Sequence, residues 1–198
     1  AISDSVFFEL LQKIKAFKTE KETAEWITRK IEEKNCENAF NPIVATGRNA
    51  EKPHHEPTNE MNKGFCVIDF GAKYEGYCSD LTRTIYFGKP LPSERTEYNK
   101  VMQAQQTALS TVKTGISMKD INKKTKKQLG KQFIHSIGHG VGIEIHEHAD
   151  KLKENMTITI EPGIYGKERG IRIEDTIIVT KKGCETLTKS TKKLIHII

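Results

Sequence analysis

Residues 66–84, CVIDFGAKYEGYCSDLTRT, place two carboxylates inside a run that otherwise reads as a buried hairpin. Asp69 follows Cys66, Val67 and Ile68, and Asp80 precedes Leu81 and a threonine-rich segment. Strand side chains alternate faces, and residues opposite one another in an antiparallel pair share a face. With the turn centred between Tyr74 and Glu75, Asp69 stands opposite Asp80. Residues 158–176, ITIEPGIYGKERGIRIEDT, repeat the construction. A loop over 166–169 pairs Tyr165 with Gly170 and sets Glu161 opposite Glu174. Like charges facing each other across a strand pair are destabilising, and burying them costs far more. A multivalent cation between them reverses the sign. The alternative is that the acids face solvent, or that the registers slip by one residue.

Residues 136–150, SIGHGVGIEIHEHAD, supply imidazole nitrogen. His139 lies between two glycines, where backbone and a metal can approach closely. His146 follows at an odd offset in what reads as an alternating strand. The two rings then face opposite sides unless the glycines turn the chain. Four carboxylates and one imidazole exceed the needs of a tetrahedral structural zinc. They suit two metals bridged by carboxylates. Oxygen donors with a single nitrogen favour Mn(II), Co(II), Fe(II) or Zn(II).

The remaining sequence predicts the frame around these groups. Ile2, Val6, Leu10 and Ile14 keep helical spacing, and a second helix is predicted over 20–34, with Thr19 as N-cap and Glu22 at the capping-box position. Residues 39–47 read as a strand entering a turn, and 48–64 as a polar loop carrying His54 and His55. Helices follow over 93–113 and 118–129, with Gly130 behind the second. From residue 133 onward the pattern predicts strands, including 133–147. This order predicts an α+β fold with helices packed on a largely antiparallel sheet. No composition shift divides the 198 residues, so one domain spanning 1–198 is expected.

Composition excludes some function classes. No apolar run approaches the roughly 20 residues that span a bilayer. Cys36, Cys66, Cys78 and Cys184 show no CxxC pairing, which predicts free thiols in a reducing cytosol rather than a zinc knuckle or disulfide framework. The net charge of +6 comes largely from lysine, as in KKTKK at 123–127. A nucleic-acid or other anionic partner would use such charge. Interspersed acids and the lack of a nucleic-acid motif favour a solvated surface.

These residues resemble the pita-bread metallopeptidase family: methionine aminopeptidases, Xaa-Pro aminopeptidases and Xaa-Pro dipeptidases (prolidases). Asp69 in VIDFG, Asp80 in SDLTRT, His139 in GHGVG, Glu161 in TIEPG and Glu174 in RIEDT match the five metal ligands in family order. His146 matches a catalytic histidine that is not a ligand, and His54 in KPHHEPT a loop histidine, with His55 also in position for that match. His135 in FIHSIGHG matches a substrate-contacting histidine of the proline branch. The resemblance implies a curved, largely antiparallel sheet covered by helices, in pseudo-two-fold halves. It implies two divalent ions, with Asp80 and Glu174 shared between them, that activate water against the first peptide bond of a short peptide. Glu161 is then also the proton shuttle. Arg172, two residues before Glu174, is a candidate for supporting the ligands or contacting substrate, and Arg83 is expected to be structural. TRT, EPGIY and GIRIEDT resemble the proline branch; a methionine aminopeptidase is the alternative. A non-catalytic member of the fold, binding peptide or RNA, is the reading from another class. Proline-specific relatives carry a separate N-terminal, creatinase-like domain that helps form a homodimer. It is not expected within 1–198, so this is either the catalytic part alone or a short relative.

Overall fold

The computed structural model describes residues 2–198. The chain opens with α1 (Ile2–Lys13) and α2 (Glu20–Glu32). Val6, Phe7 and Leu10 bury one face of α1, and Trp26, Ile27 and Ile31 one face of α2. The Thr19 side chain accepts the Glu22 N–H at 3.0 Å. The Glu22 carboxylate accepts the Lys18 N–H at 2.6 Å, one residue before the amide a capping box uses. Such a cap contributes about 1 kcal/mol. The strands β1 (Glu37–Asn38) and β2 (Ile43–Thr46) follow. The first hairpin comprises β3 (Gly64–Phe70), β4 (Ala72–Tyr74), β5 (Tyr77–Cys78) and β6 (Leu81–Phe87). The helices α3 (Pro92–Thr111) and α4 (Met118–Leu129) lead to β7 (Thr157–Ile160), β8 (Gly163–Tyr165), β9 (Gly170–Arg172) and β10 (Asp175–Val179). The chain closes with β11 (Cys184–Thr186) and β12 (His196–Ile197).

Two halves share one plan. In the first, α1 and α2 pack on the sheet β12-β6-β3-β2 through Val44, Cys66, Ile68, Phe70, Leu81 and Ile85. In the second, α3 and α4 pack on β11-β10-β7 through Ile158, Ile160, Ile177 and Val179. All pairings are antiparallel except that of β12 with β6. Alternation then fixes where the acids point. Ile68 and Phe70 face α1 and α2, so Asp69 faces away from them. Ile158 and Ile160 face α3 and α4, which turns Glu161 to the opposite side.

The expected pairing of Asp69 with Asp80 is corrected. Asp69 lies opposite Thr82, and Tyr74 opposite Tyr77. The turn is Glu75–Gly76, with φ of +49° and +83°, both positive as a two-residue hairpin turn requires. The slip is two residues, so the face is preserved, and Asp80 still shares it with Asp69 and Thr82. The second hairpin keeps its expected register. Tyr165 pairs with Gly170, and Ile160 with Asp175, so Glu161 and Glu174 fall opposite each other in the break between the two ladders.

The strand expected over 133–147 is also corrected. That segment is a loop: Gly140 bridges Glu147 within it and Ile158 on β7. Further backbone hydrogen bonds, such as Thr159 N–H to the His139 carbonyl at 2.8 Å and Val141 N–H to the Thr157 carbonyl at 3.0 Å, lay it along that strand without forming a ladder. The Glu147 carboxylate accepts the N–H groups of Ile143 at 2.9 Å and Glu144 at 3.3 Å. That local capture takes amides a ladder would need. The second helix stops at Glu32 rather than residue 34, and Asn35 turns the chain at φ +56°.

A seam joins the halves. Thr84 Oγ1 donates to the Arg172 carbonyl at 2.8 Å and accepts the Arg172 N–H at 3.0 Å. The Glu174 N–H donates to the Thr82 carbonyl at 3.1 Å. Both acid-bearing hairpins thus open on one cavity. No helix among the described residues is long and apolar enough to cross a membrane.

Candidate metal centre

The seam carries a cavity of about 400 Å³ whose wall includes Asp69, Asp80, His139, Glu161 and Glu174. Asp80, His139 and Glu174 each offer a ligand atom, all within 4.8 Å of one another. His139 Nε2 lies 3.6 Å from Asp80 Oδ2 and 3.4 Å from Glu161 Oε1. Its other nitrogen, Nδ1, donates to the Gly140 carbonyl at 3.0 Å. A carbonyl can only accept, so the proton sits on Nδ1 and the Nε2 lone pair faces the acids. The His139 N–H donates to Thr159 Oγ1 at 3.0 Å. The loop closes so tightly there that a Cβ on Gly138 would stand 2.1 Å from the Thr159 carbonyl oxygen.

The electrostatics call for a cation. Asp80 and Glu174 are only 6% and 2% exposed. Burial holds the Asp80 carboxyl well above the ordinary range, and the charges of Glu174, Asp69 and Glu161 push the same way. Glu174 is raised likewise, by burial and then by Glu161 and Asp69. Burial lifts Glu161 to about 7 against the opposing charge of Arg172. Burial lowers His139, which keeps its ring neutral and able to ligate. Asp69 Oδ1 and Asp80 Oδ1 are buried acceptors with no hydrogen-bond partner. Orphaned carboxylate oxygens beside a free imidazole lone pair fit a divalent cation by donor chemistry and by need.

Arg172 is buried, and its guanidinium organises one wall. Nη2 donates to Asp69 Oδ2 at 2.6 Å, Nε to Thr82 Oγ1 at 3.2 Å, and Nη1 to Tyr165 Oη at 2.8 Å and the Pro53 carbonyl at 3.1 Å. Thr82 Oγ1 donates in turn to Glu174 Oε2 at 2.5 Å. Tyr165 Oη passes its proton toward His135 Nε2 at 3.0 Å, and His135 Nδ1 donates to the Ser136 carbonyl at 2.7 Å. Burial pushes His135 down to about 4, so it accepts as a neutral ring. Donation thus runs outward from Arg172, to Asp69 on one side and through Tyr165 to His135 on the other. Gly163 makes room for it: a Cβ there would come within 2.7 Å of Tyr165 Oη.

The remaining histidines divide clearly. His146 lines the cavity, its ring centroid 4.3 Å from that of His139, so the glycine loop brings the two rings together. His54 lines the cavity at its exposed mouth. His55 turns the other way into a buried pair with Glu20, Nε2 to Oε2 at 2.8 Å.

The profile of metallopeptidase family M24 matches residues 1–181. The chain belongs to metallopeptidase family M24. It is 38% identical to an Xaa-Pro dipeptidase of Pyrococcus furiosus over 98% of this chain and 60% of that one. It is 39% identical to a putative Xaa-Pro aminopeptidase of Mycoplasma genitalium over 96% of this chain and 58% of that one. An X-Pro aminopeptidase structure from Thermotoga maritima superposes with a TM-score of 0.94 at 35% identity, covering 99% of this chain and 60% of that one. A prolidase structure from Pyrococcus horikoshii superposes at 0.92 with 38% identity, covering 98% and 60%. The fold is the pita-bread fold. The chain spans about 60% of the length of these relatives.

Within this M24 site, reasoning from the sequence missed Thr82, Tyr165 and Thr159. Thr82 and Thr159 each lie two residues from a candidate ligand on a strand, hence on its face. That parity was the available signal. Arg83 is structural: it is 1% exposed and donates to Asp175 Oδ1 at 2.7 Å and the Ser190 carbonyl at 2.8 Å. All four cysteines are free.

Proposed function

We propose that the protein is a metal-dependent exopeptidase that cleaves the N-terminal bond of short peptides, with proline after that bond. The convergence of Asp80, His139 and Glu174, with two unpartnered carboxylate oxygens beside them, carries this reading. Family M24 and the Xaa-Pro names of its relatives support the substrate class. Residues 1–198 form one catalytic domain. Asp69, Asp80, His139, Glu161 and Glu174 would hold two divalent ions, drawn from Mn(II), Co(II), Fe(II) and Zn(II). Bound there, such ions acidify water and polarise a peptide carbonyl. Glu161 takes a proton from the attacking water and returns it to the leaving nitrogen. His146 and His54 donate to the developing oxyanion and to that nitrogen. His135, held neutral by burial and fixed by Tyr165, orients the substrate at the wall. A prolyl amide has no N–H, so its ring is recognised by shape, for which Phe40, Ile43 and Ile145 offer apolar surface. Free thiols fit a reducing, cytoplasmic setting.

The test is chelation followed by reloading. Protein reloaded with Mn(II) or Co(II) should take up close to two ions per chain and hydrolyse Ala-Pro, and stripped protein should not. Full metal uptake without hydrolysis of any short peptide would instead support a binding member of the fold.

A further inference from the structure

Glu20, the first residue of α2, is fully buried, and it lies outside the metal-facing cavity. Each of its oxygens accepts three hydrogen bonds. Oε1 takes the Thr46 N–H at 2.7 Å, Thr46 Oγ1 at 2.7 Å and Asn49 Nδ2 at 3.1 Å. Oε2 takes His55 Nε2 at 2.8 Å, the Thr58 N–H at 3.0 Å and Thr58 Oγ1 at 2.8 Å. Around the side chain, the Glu20 N–H donates to the Glu60 carbonyl at 2.8 Å and the Lys21 N–H to the Thr58 carbonyl at 3.0 Å. The helix N-terminus adds favourable partial charge. One carboxylate thus ties the start of α2, the end of β2 and the whole 55–60 loop to a single point.

His54 immediately precedes that anchored loop. On its other side the Pro53 carbonyl is held by Arg172 Nη1 at 3.1 Å, the arginine that also grips Asp69. His54 is therefore fixed through both neighbours, one tied to the metal-facing wall and one to Glu20. Consecutive residues with opposed side chains let His55 turn inward while His54 reaches the cavity mouth.

We propose that Glu20 is a positioning residue for the reaction: through His55 and Thr58 it sets the His54 imidazole over the reacting bond. This rests on the peptidase reading above. Glu20 touches no candidate ligand, so its loss acts on turnover rather than on metal content. Glu20→Gln introduces an N–H₂ among six donors, and His55→Ala removes one donor only.

The experiment compares Glu20→Gln, His55→Ala and His55→Gln, each with and without His54→Ala, on Ala-Pro with the metal-loaded full chain. In the His54 background, Glu20→Gln and His55→Ala should lower kcat about 10- to 100-fold with metal content unchanged. His55→Gln, which keeps a donor toward Glu20, should retain most of the rate. In the His54→Ala background the same substitutions should change kcat by less than about 2-fold, because their effect runs through a ring already removed. Hydrogen exchange at the Thr58 amide should rise in folded His55→Ala without substrate while amides outside the 55–60 loop stay protected, which reads the clamp independently of turnover. Equal losses in both backgrounds, or a rate unchanged in folded His55→Ala, would overturn the proposal. A wild-type chain that turns over no peptide fails the underlying reading instead, before any variant is compared.

Discussion

Arg172 Nη2 donates to Asp69 Oδ2 at 2.6 Å, and Oδ1 of the same carboxylate is left buried without a partner. One oxygen is fixed and the other is free to ligate. Breaking a buried pair of this kind costs about 3–5 kcal/mol, because the surviving charge is left uncompensated. Arg172→Met should lower the melting temperature of the metal-free protein and weaken metal binding about 10- to 100-fold. Calorimetric titration with Mn(II) checks this. Wild-type affinity in the variant would show that the arginine does not orient Asp69.

The paired imidazoles should separate by role. His139→Ala should lose metal, since Nε2 is the nitrogen aimed at Asp80 and Glu161. His146→Ala should keep its metal and lose about 100-fold or more in kcat, as expected of a group that moves or shares a proton in the transition state. Elemental analysis beside kinetics decides it. Metal loss in His146→Ala would reverse the two assignments.

Most of this architecture is legible in the chain because period-2 alternation survives local error. The first hairpin slipped by two residues relative to expectation, yet Asp69 and Asp80 kept their common face. A slip of one would have put Asp69 against α1 and α2. Residues 133–147 read as a strand because alternating Ile143 and Ile145 mimic one, whereas Glu147 captures the amides locally. The position of Arg172 two residues before Glu174 marks it as a candidate for supporting the ligands or contacting substrate, but not which groups it grips. Its reach to Pro53, Tyr165 and Asp69 spans contacts from segments far apart in sequence, and no local pattern encodes them. His54 and His55 could not be told apart until Glu20 claimed one of them.

Stripped of metal, the protein should lose stability as pH rises. The folded pKa of Glu161 is about 7, above its ordinary value of 4.5. Between those values the folded chain holds a proton that the unfolded chain has released, so the stability slope with pH is negative. Asp80 and Glu174 are raised in the same direction by the same burial. Below about pH 6.5 the depressed His135 and His139 oppose this slope, so the melting temperature of chelated protein should fall most clearly from about pH 6.5 to pH 8, and excess divalent ion should suppress the fall. A flat profile in the chelated protein would mean that the acids are not mutually buried without a cation.

The most direct test sets three substrates side by side with Mn(II)- or Co(II)-loaded protein: Ala-Pro, Ala-Pro-Ala and Met-Ala-Ser. At least one proline substrate should be hydrolysed at a kcat/KM well above that for Met-Ala-Ser. Cleavage of Met-Ala-Ser with no action on either proline peptide would contradict it and make the chain a methionine aminopeptidase.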